Sequence, residues 1–318
     1  MCELLRLIPI YQPRVWGGRR LKPDADQPIG EAWVVYEHNQ IAEGRYAGRT
    51  LGALAAELGA ELLGEAAVAR TGTRFPLLIK LLDCQDWLSV QVHPNDAHAV
   101  ALEGPGHFGK TEAWHVLEAA PGARLLAGVK QSVSPEALVQ AIQNGNLLDV
   151  LQEWSVRAGD TIFIPAGTLH ALGPGLLIYE VQQTSDLTYR VWDWDRPASA
   201  GRPLHIQQAI AVADPEARSA PQPLRPMLDT DAQRLVTCPF FTFNLLASRT
   251  ETLALDTEGH SFHTLTIAQG KAVVECLGQA VELSQYESLV VPAGCRAYQI
   301  RPLTPIRVLQ TSVGDLHQ

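Results

Sequence analysis

Gly159-Asp160-Thr161-Ile162-Phe163-Ile164-Pro165-Ala166-Gly167 and, much later, Tyr286-Glu287-Ser288-Leu289-Val290-Val291-Pro292-Ala293-Gly294 are two copies of one pattern. In each copy a polar turn leads into a short apolar run, and Pro-Ala-Gly then stops it, as expected of turn, strand and turn. The fifth residue after the proline is His170 in the first copy and Ala297 in the second. The structural unit is repeated and its imidazole is not. This predicts two related β-barrels, with chemistry confined to the first.

Strand signals dominate outward from these copies. Runs rich in Val, Ile, Leu and aromatic residues recur at Ala32–Tyr36, Leu77–Leu82, Trp87–Val92, Ala113–Leu117, Thr161–Ile164, Leu176–Val181, Thr264–Ile267, Ala272–Cys276 and Ser288–Val291. Gly, Pro, Asn and Asp separate them, so the chain reads as mainly β. Few helices are expected. Thr50 is placed to cap Leu51–Leu58, with Leu51, Leu54, Ala55 and Leu58 on one face. Ser134-Pro135-Glu136 opens another helix, which ends near Gly145. Pro215, Pro221, Pro223 and Pro226 give residues 213–230 the composition of a linker. The expected division is a metal-binding domain over 1–212, the linker, and a degenerate barrel over 231–318.

Composition narrows the function. The chain is 46% apolar and 19% charged, ordinary for a globular protein. No run approaches the roughly 18 consecutive apolar residues of a membrane helix. Met1-Cys2-Glu3-Leu4-Leu5-Arg6 lacks the marks of a secretory leader, so a soluble cytoplasmic protein is expected. Cys2, Cys84, Cys238, Cys276 and Cys295 are odd in number, scattered and never paired as CxxC. That argues against a disulfide framework or a thiolate zinc site. A net charge of −9 weighs against nucleic acid, yet leaves room for an anionic small molecule held by a few local cations.

The candidate chemistry lies in Leu88-Ser89-Val90-Gln91-Val92-His93-Pro94-Asn95-Asp96, Gly109-Lys110-Thr111-Glu112 and Pro165-Ala166-Gly167-Thr168-Leu169-His170. Gln91 and His93, two apart on a strand, leave the same face, and Pro94 ends that strand. Glu112 opens another apolar strand, and His170 follows the Pro-Ala-Gly turn. Each residue alone is most simply a hydrogen-bonded polar group near the core. Together, an amide oxygen, two imidazoles and a carboxylate suit one divalent ion of borderline hardness, zinc above all. Among rival histidines, His98 belongs on a surface helix and His115 is out of phase with Glu112. His107 lies in a Gly-rich loop from which it could swing toward a site, and His260 and His263 are expected to be structural.

A second constellation runs from Glu180 through Thr184-Ser185-Asp186 to Arg190. Glu180 and Arg190 could face each other across a hairpin-like corner, either as an ion pair bracing the sheet or as a proton carrier with an anion-binding partner. Lys110, two residues before Glu112, is a candidate cation on the same face.

These residues carry a resemblance. The chain is similar to type I mannose-6-phosphate isomerases (phosphomannose isomerases) of the short bacterial form, in the cupin superfamily. The matching elements are Ile10 with Arg14-Val15-Trp16-Gly17-Gly18, Gly30-Glu31-Ala32-Trp33, Leu88–Asp96, Gly109–Trp114, Ile164–His170 and Glu180–Trp194. The resemblance implies two cupin-like β-barrels of jelly-roll type and one zinc ion held by Gln91, His93, Glu112 and His170. It also implies an active-site Arg190 and substrate contacts from Ser89, Lys110 and Glu180. The interval from Glu112 to His170 is too short for the helical insertion of the family's long form.

The implied reaction interconverts D-mannose 6-phosphate and D-fructose 6-phosphate through a cis-enediol(ate). Such chemistry needs a base near C1 and C2 and positive charge for the developing oxyanion. Glu180 or a zinc-bound water would carry the proton, and Lys110 and Arg190 would supply charge in roles the sequence does not divide. The partner expected is a small sugar phosphate, with neither nucleic acid nor membrane, acting on a monomer or weak homo-oligomer. Two alternatives stand beside this reading. One is another cupin metal enzyme, such as an iron dioxygenase or sugar epimerase; the other is a non-catalytic sugar-phosphate-binding cupin.

Overall fold

The computed structural model describes residues 3–197 and 202–314. The chain is mainly β, as expected, and divides into two compact units interleaved along the sequence. One unit comprises Tyr11–Ala32 and Lys80–Leu224; the other gathers Met1–Ile10, Trp33–Ile79 and Arg225–Gln318.

In the first unit, a five-stranded sheet has the order Tyr189–Trp192, Val90–Val92, His170–Leu172, Arg124–Val129, Leu151–Ser155. A larger sheet takes from this unit, in order, residues 11–18, 29–32 and 80–84, then Leu176–Gln183, Glu112–Ala119 and Thr161–Ile164. Side chains alternate faces along a strand, and that period sorts the apolar residues into two layers. Leu125, Ala127 and Leu172 of the smaller sheet share one core with Leu82, Trp114, Val116, Ile162, Leu176 and Ile178 of the larger. Their out-of-phase neighbours Val90, Val92, Leu126 and Ala171 pack with Leu138, Ile142, Ala209 and Val212 from the helices Pro135–Asn144 and Ile206–Val212. Ser134 caps the first of these helices by accepting from the Ala137 amide, and Gly145 closes it in the left-handed conformation, as the sequence predicts.

The second unit repeats the two-sheet plan. Its six-stranded sheet has the order Leu5–Arg6, Ser288–Val291, His263–Gln269, Ile306–Ser312, Thr242–Ser248, Thr230–Thr237. A four-stranded sheet has the order Leu253–Asp256, Ala297–Pro302, Ala272–Cys276, Gln279–Leu283. Leu265, Ile267, Leu289, Val291 and Val308 from the first meet Val274, Leu283, Tyr298 and Ile300 from the second in one core. The repeat is visible in three dimensions: His170 and Ala297 each open the strand that follows the Pro-Ala-Gly turn.

Two expectations about domain organisation are corrected. The helical stretch beginning at Leu51, expected with the metal-binding domain of residues 1–212, belongs with the C-terminal sheets. Ala66 donates to the His260 carbonyl at 3.1 Å, Phe262 donates to the Leu63 carbonyl at 3.1 Å, and the Phe75 and Phe262 rings lie 4.6 Å apart. The Pro-rich stretch 213–230 is not a free tether either. Gln222 and Thr161 exchange backbone hydrogen bonds of 2.8 and 2.9 Å, capping the outer edge of Thr161–Ile164, and Arg218 bridges Gly128. Proline tolerates that position because a strip along a sheet edge needs few donors. Among the described residues no helix is long and apolar enough to cross a membrane.

His263 is structural, as expected. Its Nδ1 lies 2.8 Å from the Tyr298 hydroxyl, and burial pulls its pKa down to about 4, with the Asp256 charge opposing. The folded state therefore binds fewer protons than the unfolded state between about pH 6.5 and pH 4. The stability this group contributes is present above pH 6.5 and lost as pH falls toward 4, up to about 3 kcal/mol. Urea unfolding at pH 7 and pH 4.5 should show a smaller drop for His263→Gln than for the parent; equal drops would exclude the assignment.

Candidate active site

Strand register assembles the site. Val90–Val92 lies between its two neighbours so that Arg190 and His170 flank Gln91 in one row. In the larger sheet of the same unit, Gln182 and Ile164 flank Glu112, while Glu180 and Ile162 flank Trp114. Glu112, Trp114 and Glu180 are in phase with the core-facing residues, so the carboxylates point inward.

Two tight approaches fix the loops that end these strands. Gly109 passes so close to the Asn95–Asp96 backbone that a Cβ would sit 2.6 Å from it, and Lys110 there donates to the Pro94 carbonyl at 2.9 Å. Gly167 takes φ +89°, a conformation that favours glycine, and donates to the His93 carbonyl at 2.8 Å. The turns carrying Lys110 and His170 are thereby tied to the segment carrying His93.

The two imidazoles are oriented by their outer nitrogens. His93 Nδ1–H donates to the Leu187 carbonyl at 2.8 Å, and His170 Nδ1–H donates to the Thr168 carbonyl at 2.9 Å. A carbonyl only accepts, so both rings carry the proton on Nδ1 and turn an unprotonated Nε2 inward. Those nitrogens lie 3.6 Å (His93) and 3.4 Å (His170) from the Glu112 carboxylate. The donor atoms of His93, Glu112 and His170 all fall within 4.8 Å of one another. The Gln91 side chain lies beside the set, its amide nitrogen donating to His170 Nε2 at 3.2 Å.

This donor set suits a cation, and the chain itself shows it. The Lys110 ammonium rests on Glu112 and 3.1 Å from His93 Nε2, where the donors converge. Burial, with the Lys110 charge, lowers the pKa of His170 to about 4 and holds that of His93 well below its ordinary value, so both are neutral, the form that ligates metal.

Glu180 stands apart from the triad. It accepts from Lys80 Nζ at 3.1 Å and from the Trp114 indole N–H at 2.9 Å, with Lys110 Nζ 3.8 Å away. Burial alone would raise its pKa, but Lys110 and Lys80 outweigh it and hold the group well below the carboxylate range. Burial and the nearby Glu180 charge push Glu112 the other way, to about 7. A divalent ion beside Glu112 would reverse that push.

A scan against known families matches residues 4–112 to the catalytic domain of phosphomannose isomerase type I. The mannose-6-phosphate isomerase of Streptococcus mutans is 40% identical over 255 residues, 76% of this chain and 78% of that one. The Bacillus subtilis mannose-6-phosphate isomerase ManA is 37% identical over 222 residues, 67% of this chain and 68% of its own. The chain belongs to the phosphomannose isomerase family. The solved structure of the Bacillus subtilis mannose 6-phosphate isomerase matches with a TM-score of 0.83 at 28% identity, covering 97% of this chain and 99% of the other. Phosphomannose isomerase architecture thus extends over the C-terminal unit, where sequence showed only a degenerate barrel.

Against that family background, the expected site residues sort clearly. Gln91, His93, Glu112, His170 and Lys110 come together, and Ser89 joins them through Gln91, its hydroxyl 3.3 Å from the amide oxygen. The facing of Glu180 and Arg190 is corrected: they lie in different sheets, Glu180 pairs with Lys80, and Arg190 donates through Nε to the Ser89 hydroxyl at 3.2 Å. A turn alone does not make strands on either side of it neighbours when the second strand joins another sheet. His115 bonds Thr161 on the outer face, His98 sits on the helix Asp96–Glu103, and His107 is exposed. The sequence reading passed over Lys80 and Trp114. The signal for Lys80 was present, since a lone lysine in Leu77-Leu78-Ile79-Lys80-Leu81-Leu82 must find an anion once that strand is buried.

Removing a donor should release metal. His170→Ala or Glu112→Gln is expected to weaken metal binding by more than about 100-fold, beyond what loss of an outer hydrogen-bond partner costs; chelator competition measures it, and unchanged affinity would dismantle the centre. Lys80→Met leaves Glu180 buried without its closest cation and should cost about 3–5 kcal/mol in urea unfolding at neutral pH.

Proposed function

We propose that this chain is a zinc-dependent mannose-6-phosphate isomerase, interconverting D-mannose 6-phosphate and D-fructose 6-phosphate through a cis-enediol(ate). One observation carries the proposal. A neutral-imidazole, carboxylate and amide donor set lies beside a buried, ionised carboxylate that is not part of it. Relatives with 37–40% identity that bear the name mannose-6-phosphate isomerase support the choice of substrate.

His93, Glu112 and His170 would hold the ion, with Gln91 turning its amide oxygen toward it. Nitrogen and oxygen donors with no thiolate suit zinc, although the same triad also suits ferrous iron. Bound there, the ion would polarise the sugar's carbonyl and hydroxyl oxygens.

The proton transfer falls to the protein. Isomerisation takes a proton from C2 of the aldose and delivers one to C1, so one base on one face serves both carbons. We assign this to a Glu180 carboxylate oxygen. Lys80 and Trp114 keep that carboxylate ionised and fixed, and the surrounding core excludes water. The two ammonium groups that ionise Glu180 also lower its basicity. Lys110 is the adjustable one, since it is shared with Glu112; its move toward a substrate oxygen would return basicity to Glu180 and set positive charge on the developing oxyanion. Arg190 supplies a second charge from the opposite sheet.

Glu180→Gln tests the assignment. It should lower turnover of mannose 6-phosphate by at least about 1000-fold, within the range typical of general bases, and stop exchange of the C2 proton with deuterated solvent, while zinc content stays near that of the parent. Parent-like exchange would remove Glu180 from the role. Elemental analysis of the purified protein separates zinc from iron.

A further inference from the structure

The end of the larger sheet that carries Glu112 is sewn to its loops. Gln183 Oε1 accepts from the Thr111 amide at 2.9 Å, and its Nε2 donates to Asp96 Oδ1 at 3.0 Å. The same Asp96 oxygen takes the Gly109 amide at 2.7 Å, and the Ser185 hydroxyl donates to the Phe108 carbonyl at 2.8 Å. The turn after Gln183 and the loop before Glu112 are thereby joined, which closes this end of the site. Gln182 stands inside the closure and is fully buried. It pairs with Glu112 in strand register and lies two residues beyond Glu180, so all three share the inner face. Residues opposite one another on antiparallel strands hold their Cβ atoms about 4.5–5.5 Å apart.

The Gln182 carboxamide has one orientation and one unmet need. Its Nε2 donates to both the Gln183 and the Ser185 carbonyls, which uses both N–H groups. Turning the amide over would set Oε1 against two carbonyl oxygens, so the hydrogen bonds decide which end is which. Oε1 then lies on the side away from those carbonyls, and no donor meets it. A buried acceptor left without a donor is costly, and folded proteins keep few of them. Its neighbours on the inner face do not fill the need. Glu112 and Glu180 are carboxylates, and the Lys110 ammonium is directed at Glu112 and His93.

We propose that Gln182 is a specificity-determining residue whose Oε1 accepts a hydrogen bond from the C1 hydroxyl of the sugar. The choice of sugar rests on the proposed function, and the contact rests on strand register and hydrogen bonding. Glu180 serves C1 and C2, and Gln182 follows it toward the closed end of the site. What reaches Gln182 is therefore the terminus of the sugar chain rather than the remainder. A fixed acceptor at that point favours a hydroxyl and repels a carbonyl oxygen. The aldose carries a carbonyl at C1, whereas the enediol and the ketose carry a hydroxyl, so the contact forms as the reaction advances. A sugar that ends in a methyl group would leave Oε1 unpaired and be turned away.

Alditol phosphates test the contact without turnover, because they have no carbonyl to isomerise. In calorimetric titration the full metal-loaded chain should bind D-mannitol 6-phosphate at least about tenfold more tightly than 1-deoxy-D-mannitol 6-phosphate. In Gln182→Met, similar in size but without the amide oxygen, that preference should shrink by about fivefold or more. The double difference separates Gln182 from any contact that the C1 oxygen makes with metal. Metal content equal to the parent's certifies the variant as folded. If Gln182→Met fails that check, Gln182→Glu takes its place; it keeps Oε1, discards both donors and should retain the parent's preference, and loss of that preference overturns the contact. An unchanged preference in folded Gln182→Met also overturns it and leaves a buried water as the donor to Oε1. So does a parent that shows no preference, whether by equal affinity or by binding neither alditol. Turnover of mannose 6-phosphate by that same parent would leave the proposed function standing, and its absence would refute both.

Discussion

A row of alternating charges buried between two sheets is the constraint on which this structure depends. Lys80, Glu180, Lys110 and Glu112 are each less than a tenth exposed. Desolvating each ion costs several kcal/mol, and their mutual attraction offsets that only while every neighbour stays in place. The surrounding apolar layer supplies the rest, at about 1.5–3 kcal/mol for each large side chain buried. It also holds the strands in the register that keeps opposite charges adjacent. A slip by one residue would turn Glu112 and Glu180 away from the lysines and leave four charges without partners.

The same row separates two carboxylates by role. Glu112 shares its cation with the imidazole of His93, and Glu180 accepts from Lys80 and the Trp114 indole. Chemically similar groups thereby acquire opposite tendencies, one toward holding a proton and one toward losing it. The backbone takes part as well. The Leu187 and Thr168 carbonyls select the tautomers of His93 and His170, so the inward lone pairs are in place before any ion arrives. Loading then leaves the rings in place and asks Lys110 to withdraw from the point where the donors converge.

Much of this was legible in the sequence because it depends on short-range rules. The helix starting at Pro135 announces itself by a cap, a proline at its first position and a closing glycine. The strands following Pro165 and Pro292 announce themselves by their repeated turns. The residues around Gln91, Glu112 and His170 were legible because alternation along a strand decides which neighbours share a face. What escaped is contact between strands distant in sequence. The partner of Glu180 is Lys80, not Arg190, and nothing local to Glu180 indicates which strand lies beside it. The Pro-rich stretch looked like a tether because composition records an absence of helix and strand, but not the edge on which the segment lies. The helices after Thr50 were assigned by chain order, whereas hydrogen bonds to residues 260–262 place them elsewhere.

The interleaving of the two units bears on how the chain comes to fold. Leu5–Arg6 pairs with Ser288–Val291, so this strand finds its partner only after every strand from Ile10–Gly18 to Gln279–Leu283 has been made. Loop closure over that span contributes entropy but no early contacts, which slows folding. The segment from Lys80 to Leu224, by contrast, contains most of its own partners and can condense while the rest is still being made. Biogenesis would then run from the middle outward, with the ligand-bearing unit settled first and the flanking halves of the other joined last.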